Sequence, residues 1–379
     1  MRRSSTGGCA LLLVLAVCQV CAVERESPVQ LNASGMEMYR AGRYQEAEAF
    51  YRRALEGRDG RESAQTRAAA TTNLGEALRA MARYREAEPL LLEAVAQMDA
   101  IGEAGANLSH ALCSLAALYR VKGSLAKAER VARRATEIGA EKDRSDARLC
   151  LAAVYIDQQR YDEAEALIRE MDGRSRGTSA AVLYNNMAAA SNARRDFARG
   201  ELLGRRALAV ARESLPANEA LVATTLNTVA QSCRFQAKYI EAEQNYRDAI
   251  EMWQQALGPS HPDVARGIMN MASFYHERSR EAGAEELYRR AAAIFARSLG
   301  EDHLDTLIAR NELADVLRAQ HRYVESEMLS RTTLEPLKRL LAPGDPRLGR
   351  AMFHYAFLLH DTKRQKEADT VLQALPASR

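Results

Sequence analysis

The side chains best suited to bond-making chemistry are seven histidines and six cysteines, and neither set is spaced for it. His110, His261, His276, His303, His321, His354 and His360 are scattered along the chain. His354 and His360 stand six positions apart and so face different sides of a helix. His261 and Asp263 could be read as a metal pair, but an aspartate just before a helix and Gly258 just after one are ordinary start and stop signals. Cys9, Cys18 and Cys21 fall in an apolar leader. Cys113, Cys150 and Cys233 remain, an odd set that cannot be fully paired within the chain, and free cysteines commonly serve as small buried hydrophobes. No glycine-rich phosphate loop, paired-cysteine metal spacing, His-Glu-x-x-His or Gly-x-Ser-x-Gly occurs. The expectation is therefore no catalytic residue, no metal and no cofactor, with an undetected enzyme as a remote alternative.

The elements that would position any polar site come from a repetition. The stretch from Tyr239 to Ile250 is amphipathic, and close copies begin at Tyr44, Tyr84 and Tyr161. Weaker ones begin at Leu125, Phe197, Glu281, Tyr323 and Gln365. Each copy carries a small residue three positions in: Ala47, Ala87, Ala128, Ala164, Gly200, Ala242, Ala284, Ser326 and Ala368. Twelve residues before each stands Gly35, Gly75, Ala116, Ala152, Ala188, Ala230, Ala272, Ala314 or Ala356. Seven after come Ala54, Ala94, Ala135, Met171, Ala207, Ala249, Ala291, Thr333 and Leu375. Two antiparallel helices approach closely only where side chains are nearly absent, so this register predicts nine helix hairpins stacked in a row. The aromatic ring at the start of most copies is placed to fill the wedge beside the turn. The spacings are 40, 41, 36 and 36 residues, then 42 four times.

This set resembles the tetratricopeptide repeat over essentially the whole chain after the leader. The 42-residue period resembles the kinesin-light-chain variety, because the links repeat as well: residues 257–264 align with residues 299–306, and residues 341–346 share their register. The resemblance implies an all-α, right-handed superhelical solenoid of about nine antiparallel hairpins. It further implies that first helices line a concave groove which takes a protein or an extended peptide. Carried onto this sequence, the groove candidates are Asn73, Arg79, Arg120, Asn185, Asn186, Asn227, Gln231, Arg234, Asn270, His276, Asn311 and Arg318.

Asparagine is a poor helix former, so its recurrence in first helices asks for a reason. Two readings stand: the carboxamides bond a ligand's backbone, or they stitch one repeat to the next. Arg79 and Arg318 have an acid three residues earlier, Glu76 and Asp315, whereas Arg120 and Arg234 lack that neighbour. If the partner is acidic, Arg120 and Arg234 are the better anchors, against the commoner fate of a solvated surface arginine.

Organisation and address complete the reading. Arg2 and Arg3 precede an apolar run over residues 10–17, then small residues around position 22. That is the layout of an export signal over residues 1–22, and the run is shorter than the ~20 residues that span a bilayer. Lipid attachment at Cys18 or Cys21 is the lesser alternative, because Val17 and Val20 rather than small residues precede them. The expected location is periplasmic, envelope-associated or secreted, with no transmembrane segment after the leader. Losing the leader takes the net charge from +3 to +1, so basicity gives no reason to expect a nucleic-acid partner. The polar stretch 172–179 reads as a loop and a soft boundary between repeats 1–4 (28–172) and repeats 5–9 (178–379). Pro89 lies near a helix start and is tolerable, while Pro336 is expected to end or kink its helix. Val371, Leu372, Ala374 and Leu375 close the last hairpin without a polar cap, which leaves self-association open. The leading expectation is a non-catalytic exported scaffold for a protein partner. The alternative is a structural part of an envelope assembly held by its ends and outer face.

Overall fold

The computed structural model describes residues 26–56, 64–102, 105–138, 144–169, 173–213, 218–341 and 344–374. The leader lies outside them. Eighteen helices are described, pairing in chain order into nine hairpins. They are α1 (Pro28–Arg40) with α2 (Tyr44–Glu56), α3 (Ala64–Ala80) with α4 (Tyr84–Ala100), and α5 (Ala106–Val121) with α6 (Leu125–Glu137). Then come α7 (Ser145–Asp157) with α8 (Tyr161–Arg169), α9 (Gly173–Ala193) with α10 (Phe197–Glu213), and α11 (Glu219–Phe235) with α12 (Tyr239–Leu257). The last three pair α13 (Pro262–Glu277) with α14 (Glu281–Leu299), α15 (Leu304–Ala319) with α16 (Tyr323–Leu340), and α17 (Pro346–Asp361) with α18 (Gln365–Gln373). Among the described residues there is no strand, and no helix is long and apolar enough to cross a membrane.

Both ladders of small residues at the helix crossings are buried throughout. A Cβ added at Gly75 would stand 2.7 Å from the Leu91 side chain, closer than packed carbon atoms approach, so only glycine fits without repacking. Of the third ladder, Met171 and Leu375 lie outside the described residues and the others are buried. The period seen in the sequence is thus the period of the core.

Every hairpin turns in the same way. The residue two before each second helix has a positive φ: Gly42, Ala82, Gly123, Gln159, Arg195, Ala237, Ser279, His321 and Lys363. The next amide donates back five residues, as in Arg83 N to Leu78 O (2.8 Å), Lys238 N to Cys233 O (2.9 Å) and Arg322 N to Leu317 O (2.9 Å). This closure satisfies carbonyls that a helix end would leave bare. Only two of the nine positions are glycine, so seven turns accept left-handed strain in exchange for tight packing.

Three sequence expectations are corrected. Residues 173–179 are not a loop, since α9 begins at Gly173, and stacking against the neighbouring hairpins outweighs the small propensity cost of Gly, Ser and Thr. Pro336 does not end its helix, since α16 continues to Leu340. The links after α12 and α14 are capped by histidine rather than aspartate. His261 Nδ1 accepts from Asp263 N and His303 Nδ1 from Asp305 N, both at 3.1 Å. Asp263 and Asp305 sit inside the first turn, where a negative charge meets the helix dipole. Only at the third link does aspartate cap, with Asp345 Oδ1 accepting from Arg347 N at 2.9 Å.

Successive first helices touch one another, while successive second helices make no comparable contact among the described residues. The array therefore curves with its first helices inside. It also comes back on itself. Gln45 Nε2 in α2 donates to Leu299 O at the end of α14 (3.2 Å), Tyr44 joins the core of the second half, and the His261 ring reaches the Arg40 backbone.

Candidate partner-binding groove

The inner wall is built from positions three and two before, and one and four after, each small residue of a first helix. None of the twelve residues expected there is fully exposed. Their hydrogen bonds show why.

A stitch recurs at one register, from three before the small residue of one repeat to two before that of the next. Asn73 Nδ2 donates to Asn32 Oδ1 (3.0 Å), Asn270 Nδ2 to Asn227 Oδ1 (3.0 Å), and His354 Nδ1 meets Asn311 Oδ1 (3.0 Å). Asn185 is buried with its Oδ1 unpaired, as is Asn311 Nδ2. Asn186 and Gln231 are half-buried beside them.

A second stitch joins the residue four after to the acid five after in the following repeat. Arg120 Nε donates to Asp157 (2.7 Å), Arg234 Nε to Glu277 (2.7 Å), and Arg318 to Asp361 (2.9 Å). Arg318 also pairs with Asp315 as expected (2.8 Å). Arg234 donates further to Ser273 Oγ (2.8 Å) and is nearly enclosed. His276 bridges Glu281 (2.6 Å) and Asp315 (3.1 Å), and the bond to Asp315 leads in raising its pKa to about 9.

The sorting of arginines by local acids comes out differently in three dimensions. Arg120 and Arg234, without an acid three residues back, find one about forty residues on. Glu76 turns from Arg79 to Ser114 Oγ (2.7 Å) and His110 (3.4 Å). Arg79 makes no ion pair among the described residues. Its Nε is buried without a partner, and it lines a cavity of about 320 Å³ with Tyr39, Tyr44, Arg266, Asp305 and Arg347. The cavity lies where the array meets itself rather than along the groove.

Among the described residues, the exposed aromatic rings at these wall positions stand at the C-terminal end. Phe353 and Phe357 in α17 are 45% and 53% exposed, their rings stacked at 6.3 Å, and the Arg318 guanidinium lies 5.8 Å from the Phe357 ring. Both occupy groove positions, three before and one after Ala356. The register signalled them, but reading only polar side chains missed them. Among the described residues one trio, Glu201, Cys233 and Glu241, brings ligand atoms within 4.8 Å of one another. Its carboxylates already accept from Lys238, Arg205 and Gln236, so the chain's own cations fill the place of an ion.

Geometry of this kind suits a scaffold for protein–protein interaction. No curated protein matches. Among solved structures, a signal-transduction ATPase with numerous domains and a tetratricopeptide repeat sensor, from Pyrococcus horikoshii, is similar at 13% identity and a TM-score of 0.53. The match covers 87% of this chain and 52% of that one, so this chain spans about half its length. A Rap protein complexed with competence and sporulation factor matches at 15% identity over 89% of this chain and 98% of that one (TM-score 0.49). A putative kinesin light chain of Podosopora anserina, with nearly identical TPR-like repeats, matches at 18% over 54% and 95% (TM-score 0.44). Family models described as tetratricopeptide repeat match residues 37–65, 66–141, 145–171, 222–263 and 263–335. With repeats matched along most of its length and eighteen helices in nine hairpins, the chain belongs to the tetratricopeptide repeat family.

Proposed function

We propose that this chain is an exported, non-catalytic scaffold that holds an extended peptide or protein segment in its concave groove, anchored at the C-terminal end. The observation that carries the reading is the solvent-facing Phe353–Phe357 pair at groove positions. Exposed, stacked aromatic rings beside a guanidinium offer large apolar area at low entropy cost to a partner's side chain. Arg120, Arg234 and Arg318 are already neutralised within the array, so the partner is selected by apolar side chains more than by acidity. Export rests on the leader's layout and is tested by the amino terminus of the mature protein; Met1 retained there refutes it.

The binding reading is tested by affinity capture from the envelope fraction of the source. The Phe353→Ser/Phe357→Ser chain is expected to lose the captured partner. The Asn227→Ala/Arg234→Ala/Asn270→Ala chain, if helical, is expected to keep most of it. Capture unimpaired in both overturns the groove reading.

One observation favours a second reading, assembly through the outer face. Ile240 and Val324, both near the starts of second helices, are 91% and 84% exposed, and Leu202 and Met328 are exposed as well. Loss of capture on Ile240→Ser/Val324→Ser, with the phenylalanine variant unaffected, selects it.

A further inference from the structure

The stitch that joins Asn32 to Asn73, Asn227 to Asn270 and Asn311 to His354 has a counterpart between repeats 3 and 4. At that place, the position three before Ala116 is Cys113 and the position two before Ala152 is Cys150. The register that brings two carboxamides together elsewhere brings two thiols together here. The Cys150 thiol donates to the Cys113 carbonyl at 3.8 Å, and the two thiol groups lie within hydrogen-bonding reach of each other. Both residues are half-buried on the inner wall, so a small reagent can reach them. We propose that Cys113 and Cys150 are an oxidisable pair that forms a covalent stitch between repeats 3 and 4 when the chain meets a low-molecular-weight disulfide.

The chemistry balances within that pair. The hydrogen bond from Cys113 holds the Cys150 thiol below its ordinary pKa, and the same bond pushes Cys113 up, so Cys150 is the first nucleophile. Its thiolate attacks one sulfur of the small disulfide, forming a mixed disulfide and releasing one thiolate. Cys113 then gives its proton to solvent and attacks Cys150 Sγ, releasing the second thiolate. Two cysteines are oxidised and one small disulfide is reduced to two thiols. Rotation about the two side chains closes the remaining gap to the S–S bond length of about 2.0 Å. Cys233 is the internal control: it is buried, and burial pushes its thiol up to about 11.

The test equilibrates the full chain, without air, in glutathione buffers from fully reduced to fully oxidised. Remaining thiols are then trapped by alkylation and mapped by mass spectrometry. Cys113 and Cys150 are expected to lose alkylation together, with their peptides joined to each other, while Cys233 is alkylated in the unfolded chain at every ratio. In Cys113→Ser, Cys150 is expected to collect a glutathione adduct and no cross-link. Both thiols alkylated across all ratios in the wild-type chain, or both carrying glutathione without a cross-link, overturns the proposal. The wild-type result decides even if the variant does not fold.

Discussion

Arg120 and Arg234 stand at the same position of repeats 3 and 6, and each reaches an acid of the next repeat. Their surroundings differ. Arg120 is 30% exposed and bonds Asp157 alone, whereas Arg234 is 9% exposed and bonds Ser273 as well as Glu277, which is itself 49% exposed. The register is shared; the dielectric is not. Within the 42-residue half the Arg318–Asp361 stitch is 23% and 30% exposed, so the enclosure belongs to the surroundings of Arg234 and not to the half as a whole. A half-solvated ion pair contributes little, and an enclosed one leaves its partner groups unsatisfied when it is broken.

The largest expected effect follows from this contrast. Arg234→Ala should lower unfolding stability by about 2–3 kcal/mol, and Arg120→Ala by less than about 1 kcal/mol, measured by urea denaturation. Equal losses would remove the distinction between the two arginines. A comparable effect is expected from histidines titrating in opposite senses. His276, raised to about 9, adds stability that is complete below its unfolded pKa near 6.5 and fades as pH rises through about 9. At ~1.4 kcal/mol per unit, the rise from 6.5 to about 9 corresponds to on the order of 3 kcal/mol. His303 is held below its ordinary value, chiefly by burial, and its Nδ1 must stay unprotonated to cap α15. Its contribution is present above about pH 6.5 and is lost as pH falls. Melting temperature should therefore peak near neutral pH. His276→Gln should flatten the alkaline side and His303→Asn the acid side; an unchanged profile in both breaks the assignment. The smallest effect concerns a hairpin turn. Ala237 has a φ of 60°, so Ala237→Gly should stabilise by about 1 kcal/mol, while Gly123→Ala at the matching turn should cost a similar amount. A loss of stability in Ala237→Gly would show that the turn carries no strain.

Both ladders of small residues, and hence all nine hairpins, were legible because a helix crossing tolerates so few residue types. The left-handed turns were not, since Gln159, Arg195, Ser279, His321 and Lys363 carry no marker for a positive φ. Their conformation is imposed by the pair of helices rather than by the residue. Groove positions were legible as a register, but their bonding was not. Arg234 has no acid one helical turn away, and Glu277 lies in the next repeat, where only the stacking geometry places it. The stretch 172–179 was misread for a related reason: local composition speaks for a loop, and neighbouring hairpins decide otherwise.

The bond from Gln45 to the Leu299 carbonyl has a consequence for how such an array can change in length. A stack in which each unit touches only its neighbours can gain or lose a unit anywhere at little penalty. Here the first hairpin also rests against the seventh, so the units between them form a counted coil. Deleting or duplicating one 42-residue unit inside that span moves Leu299 by a whole step and leaves Gln45 facing the wrong link. The Arg79 cavity, lined by Asp305 of repeat 8 and Arg347 of repeat 9, extends the same count to the start of α17, so the freer place for variation lies beyond Arg347, where Phe353 and Phe357 stand.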